Sequence, residues 1–76
     1  MIKVKINRQA LEVAMTRKNL SIRDLAEQIG FSRSHVSHII SGKKSPSPMM
    51  RRLILEHLRD YTFDDLFIID DGKNGD

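Results

Sequence analysis

The chain has 76 residues, no cysteine and a net charge of +3, which leaves room for one domain with a modest core and excludes disulfides and thiolate-metal sites. No apolar run approaches the length of a membrane span, and the N-terminus lacks a signal-peptide pattern, so a soluble, cytoplasmic chain is expected. The charge is unevenly placed. Up to Arg59, twelve Lys and Arg stand against Glu12, Asp24, Glu27 and Glu56, a net +8; from Asp60 onward, six Asp stand against Lys73 alone, a net −5. A basic body with an acidic tail suits a polyanion-binding surface, although ordinary solubility charge would leave the same balance.

In chain order, Ile2, Val4 and Ile6 alternate with Lys3 and Lys5, which is strand periodicity. Asn7 is placed to cap a helix from about Arg8 to Lys18, with Ala10, Leu11, Ala14 and Met15 on one stripe. Ser21-Ile22-Arg23-Asp24 has the form of a capping box with Asp in place of Glu. It opens a short helix whose apolar face is Ile22, Leu25, Ala26 and Ile29, and Gly30 is placed to end it in the left-handed conformation. Ser32 caps a third helix that carries Val36, Ile39 and Ile40 inward, and Gly42 ends that helix. After the loop Lys43-Lys44-Ser45-Pro46, the cap Ser47 and the first-turn Pro48 open a fourth helix running to about Leu58, with Met50, Leu53, Ile54 and Leu58 as its stripe. Thr62 to Phe67 reads as a last short turn of helix. Phe67-Ile68-Ile69 reads as a second short strand, expected to pair antiparallel with the first, within one chain or across a dimer, because neither strand is stable alone. Residues 1–69 are thus expected to form one domain, and 70–76 a flexible acidic tail.

Ser21 to Gly42 carries the most information. Two short capped helices separated by Gly30-Phe31-Ser32 form the spacing of a helix-turn-helix. The second helix has to cross the first, so a left-handed turn residue is needed, and Ala26 supplies the small side chain where the two helices meet. Leu25, Ile29, Val36 and Ile39 provide the surrounding apolar wedge. A bundle with one Gly-terminated helix shares Gly30 alone; it does not share the whole set.

The run Leu25 to Lys43 resembles the signature of the phage-repressor and Cro-like helix-turn-helix family, often called the XRE family. The helix begun by Pro48 and the closing Thr62-Phe63-Asp64-Asp65-Leu66-Phe67 are also similar to that family, so the resemblance covers roughly Asn7 to Phe67. It implies a mainly α, compact five-helix domain, to which the terminal strands would add a small sheet. It further implies operator binding, usually as a dimer, and transcriptional control. One departure is visible: many members pair an Arg on the first helix with a Glu late in the recognition helix, and the matching positions here are Met15 and Ile40. An apolar contact can replace such a pair without loss of fold.

At about 100° per residue, Val36, Ile39 and Ile40 share one side of the third helix, leaving Ser34, Ser37, His38 and Ser41 outward with Arg33 and His35 flanking them. Arg33 can fork two donors onto a guanine edge, and Ser34 and Ser37 are small enough to let the helix sit deep. The resemblance places base reading at the start of this helix and at His38. Arg33, Ser34, His35, Ser37 and His38 are therefore the expected base-contacting residues, and Ser21, Arg23, Ser41, Lys43 and Lys44 the expected phosphate contacts. The bland alternative for each is a solvated polar face. The expected partner is a double-stranded DNA operator, bound by a homodimer at least on DNA, with no membrane association and no cofactor.

His35 and His38 lie one turn apart, which is also metal-ligand spacing, but there is no cysteine and His57 lies on another helix, so no metal site is expected. No nucleophile stands at a recognisable distance from a base, and no glycine loop suits a phosphate, so no enzyme is expected. A different class remains open: a small regulator such as an antitoxin or mobile-element control protein, holding a protein partner through the C-terminal end, where acidic residues flank Leu66 to Ile69.

Overall fold

The computed structural model describes residues 2–71. Its elements in chain order are β1 (Lys3–Ile6), α1 (Arg8–Arg17), α2 (Ile22–Ile29), α3 (Arg33–Ser41), α4 (Pro48–His57), α5 (Phe63–Leu66) and β2 (Phe67–Asp70). Each helix starts at the cap that its sequence offers. The side chains of Asn7, Ser21, Ser32, Ser47 and Thr62 each accept from the backbone amide three residues on, satisfying one of the amides that a helix start leaves without a partner. Ser21–Asp24 and Thr62–Asp65 are complete capping boxes.

The ends are equally local in origin. Gly30 and Gly42 take left-handed φ values of 80° and 89°. A third left-handed residue, Asn19 at φ 56°, ends α1, and the sequence reading had not singled it out. Asn19 N–H donates to Thr16 O at 3.0 Å and Leu20 N–H to Met15 O at 2.8 Å, the paired bonds that close a helix through a left-handed residue. Helix α1 accordingly stops at Arg17, one residue short of the expected Lys18, and α4 stops at His57, with Leu58 as its buried cap.

The core collects Leu11, Ala14 and Met15 from α1, Leu25, Ala26 and Ile29 from α2, Val36, Ile39 and Ile40 from α3, and Met50, Ile54 and Leu58 from the α4 region; among the described residues no polar or charged side chain is buried with them. Met15 and Ile40, at the positions where the family often pairs charges, are both buried and line one cleft beside Leu20 and Ile22. Helix α2 packs on both α3 and α4, and α1 packs on α5.

The terminal strands pair antiparallel within the chain, Lys3 opposite Asp70 and Ile6 opposite Phe67. Ile6 and Phe67 are buried and pin the ribbon to the core, and Asn7 N–H donates to Leu66 O at 2.8 Å at its base. The strand β2 runs one residue further than expected. Asp70, assigned from sequence to the tail, lies opposite Lys3 and binds the Lys5 ammonium at 3.3 Å. Asp71 follows the strand outside any element, and the remainder of the expected tail, residues 72–76, lies outside the described residues, as does Met1.

Candidate nucleic-acid interface

The geometry of Ser21 to Lys44 starts from its two glycines. After Gly30, the Phe31 amide donates back to Ala26 O at 3.0 Å, which turns the chain sharply out of α2. A Cβ built on Gly30 would meet nothing within 4 Å. The glycine is therefore needed for its backbone angle and not for room. Ser32 Oγ then accepts from His35 N at 3.1 Å and starts α3.

Helix α3 divides cleanly. Val36, Ile39 and Ile40 are buried, while Arg33, Ser34, Ser37, His38 and Ser41 are exposed. His35 differs from the other expected base contacts. It is half-buried, and its ring stacks on Phe31 with centroids 5.2 Å apart and planes 30° apart. The imidazole thus packs on the turn and is only partly open to solvent. Sequence reading missed Phe31 as its partner, because Phe31 lies before the Ser32 cap, outside the helix on which a four-residue spacing would have been a signal.

Two of the expected base contacts and two of the expected phosphate contacts meet in one groove. Ser21 and Arg23, from the start of α2, line it together with Arg33 and Ser37 of α3, and it encloses ≈ 550 Å³. At its α2 end, the capping box takes up the Ser21 and Asp24 amides at 3.0 and 3.1 Å. The amides of Ile22 and Arg23, in the first helical turn, have no acceptor within the helix. Ser21 Oγ is the acceptor for the Asp24 amide in the box. Asp24 is held below the usual carboxylate range, chiefly by the Ser21 amide, then by the Ser21 hydroxyl and the Arg23 charge.

At the other end of α3, Lys43 N–H and Lys44 N–H both donate to His38 O, at 2.9 and 3.2 Å, and Gly42 N–H donates to Ile39 O at 3.1 Å. The loop bearing the two lysines is therefore fixed to the helix that carries His38. Ser41 is placed differently from expectation in one respect: its hydroxyl donates to His38 O at 3.1 Å, so its proton is already engaged. Lys43 and Lys44 share a cleft with Lys3, Lys5 and Arg8. Among the described residues no group of three or more His, Asp and Glu is placed to hold a metal ion, and no helix is long and apolar enough to cross a membrane.

Residues 11–66 match the family model described as helix-turn-helix. Neither the curated proteins nor the solved structures gave a match to the chain.

Proposed function

The chain belongs to the phage-repressor and Cro-like helix-turn-helix family of DNA-binding regulators, and on that premise we propose that it controls transcription by docking α3 in the major groove of a specific double-stranded operator. The observation that carries this reading is the groove shared by Ser21, Arg23, Arg33 and Ser37, which sets positive charge and hydroxyl donors beside the exposed face of α3. In this reading Arg33, Ser34, Ser37 and His38 meet base edges, with His35 contributing less because it is half-buried against Phe31, and Ser21, Arg23, Lys43 and Lys44 meet phosphates. Ser41 has to give up its bond to His38 O before its hydroxyl can donate to a phosphate, which makes it the weakest of the phosphate contacts.

The nine residues of α3 make one short helix, which reaches the edges of only roughly four base pairs. Four base pairs recur too often to be an address. The reading therefore takes a homodimer on DNA, with two copies of α3 about one helical turn apart on a two-fold site.

Selection of binders from a randomised duplex library by the purified chain tests the proposal. The expected product is a two-fold consensus with half-sites about ten base pairs apart. Absence of any enriched sequence overturns it.

One observation favours a second reading, a regulator that also holds a protein partner through its C-terminal end. Ile68 and Ile69 are 50% and 57% exposed. Leu66 and Phe67, counted in that apolar stretch on sequence grounds, are core residues at 0% and 2%, so any such surface is narrower than the sequence implied. A chain that shifts its operator only when a second protein is present would favour this reading over the first.

A further inference from the structure

We propose that β1 and the loop after α3 form a second phosphate-binding surface, in which Lys3, Lys5, Arg8, Lys43 and Lys44 hold the DNA backbone on the rim of the major groove opposite the one that Ser21 and Arg23 approach. The inference rests on the DNA-binding reading above and adds to it a strand that no helix-turn-helix signal includes.

The five cations come from two stretches far apart in sequence and line a single cleft of ≈ 450 Å³ that contains no carboxylate in its wall. Like charges held together repel one another, so a cleft with five cations in its wall favours a polyanion. The donors left over define what kind. The amides of Gly42, Lys43 and Lys44 and the hydroxyl of Ser41 are all spent on the carbonyls of His38 and Ile39. Apart from Ser45, what the wall has left to offer is long, flexible ammonium and guanidinium heads. They suit a run of phosphodiesters, which asks for charge along a line, better than a small anion, which asks for converging fixed amides.

Position agrees with chemistry. The cleft lies at the C-terminal end of α3 and the Ser21–Arg23 groove borders Arg33 at its start. Nine residues separate these ends by about 13 Å, close to the ~12 Å width of the major groove. A helix seated in the groove then brings one cluster to each phosphate rim. Two of the cations are already engaged at the edge of the cleft. Asp70 binds Lys5 at 3.3 Å, and Glu12 binds Arg8 at 3.2 Å. Exposed pairs of this kind are weak and exchange readily for a phosphate. Asp70 therefore acts as a competitor for the site.

The test uses the full chain and a 20-base-pair duplex of mixed sequence, because phosphate contacts are indifferent to sequence, with binding measured across a salt series. The double variant Lys3→Gln/Lys5→Gln is expected to lower the slope of log affinity against log salt by roughly two and to weaken binding on the order of tenfold per lysine at low salt. Lys3→Arg/Lys5→Arg should restore both. Lys5→Gln and Asp70→Asn each remove one partner of the same ion pair, yet they are expected to move affinity in opposite directions, Lys5→Gln down and Asp70→Asn up severalfold. That pair of variants keeps the proposal testable even if the double variant folds poorly. If the wild-type chain binds the duplex but the slope of Lys3→Gln/Lys5→Gln is unchanged, or if Asp70→Asn weakens binding as Lys5→Gln does, the second surface does not exist and the cleft serves another anion. If the wild-type chain does not bind DNA at any salt, the DNA-binding reading itself falls, and this inference with it.

Discussion

The helix-turn-helix segment and the terminal ribbon solve the same problem, burying apolar side chains, in opposite ways. Between Ser21 and Gly42 every large apolar residue of α2 and α3 is turned inward: Leu25, Ile29, Val36, Ile39 and Ile40 are each at most 6% exposed, and Ile22 and Phe31 are packed against them. The ribbon is pinned by the single buried pair Ile6 and Phe67, while Ile2, Ile68 and Ile69 stand 50–70% exposed on it. The helix pair is thus complete in one chain, its outer face left entirely to polar side chains. The ribbon has two strands and no third among the described residues, and it carries apolar groups on its surface. The contrast is between a helix pair whose apolar side chains are satisfied within the chain and a ribbon whose apolar side chains are in part left on the surface.

Truncating one member of each region is the strongest way to break that comparison. Leu25→Ala empties a fully buried position and is expected to cost ~2–5 kcal/mol, which in a chain this small leaves little folded protein. Ile69→Ala, at a position more than half exposed, is expected to change monomer stability by no more than ~0.5 kcal/mol. Urea denaturation at two protein concentrations checks both. A large loss for Ile69→Ala that grows with concentration would show the ribbon to be covered by a second copy.

Two substitutions at opposite ends of α3 sharpen the comparison within the rigid region. Arg33→Ala is expected to weaken the operator by ~1–3 kcal/mol relative to random DNA, the worth of one forked base contact. Lys43→Ala should weaken both DNAs alike and flatten the salt dependence by roughly one unit of slope. Competition binding with both duplexes separates the roles, and identical profiles for the two variants would erase the distinction between reading and holding. A smaller effect belongs to the turn. Because a Cβ at Gly30 meets nothing within 4 Å, Gly30→Ala should cost only the left-handed backbone penalty of ~1–2 kcal/mol. For a domain of this size that is roughly 4–8 °C in Tm per kcal/mol. A much larger drop would mean that the crossing of α2 and α3 had changed.

What could be read from sequence follows the same division. The helix-turn-helix was legible because its determinants are local: Ser21, Ser32 and Ser47 cap the amide three residues on, Gly30 and Gly42 end helices, and the apolar spacing in α2 and α3 has one period. The pairing of the ribbon was legible only as a need for partners. Its register was not, because Lys3 meets Asp70 through the packing of Ile6 and Phe67 on a core assembled from distant segments. The left-handed turn at Asn19 escaped for a related reason. Asparagine merely tolerates that conformation, and here the choice goes with Leu20, which packs against the core. The basic cleft was illegible because alternating Lys3 and Lys5 signal only a strand, until the fold sets them beside Lys43 and Lys44. Pairing of His35 with Phe31 changes the one expected base contact whose neighbourhood was not wholly polar.

The smallest expected effect lies in the capping box of α2, where charge can be separated from shape. Asp24 accepts the Ser21 amide at 3.0 Å while Ser21 Oγ accepts the Asp24 amide at 3.1 Å. These bonds and the neighbouring Arg23 hold the carboxyl below its ordinary value of 3.8 in the folded chain. A carboxyl depressed on folding favours the folded state in its ionised form, so its contribution is fully present above the unfolded value and is lost as pH falls through the folded one. Asp24→Asn keeps an oxygen that can accept from Ser21 N–H but removes the charge, which also favours the positive end of the helix dipole. Wild type is therefore expected to melt slightly higher than Asp24→Asn by a constant margin near neutral pH. That margin should shrink below about pH 5 and vanish below the folded value, while both proteins lose stability for other reasons. Thermal melts of the two proteins from pH 7 to pH 2 check this. A margin that stays constant into acid would mean that the carboxylate charge contributes nothing at the start of α2, and that the cap works through its hydrogen bonds alone.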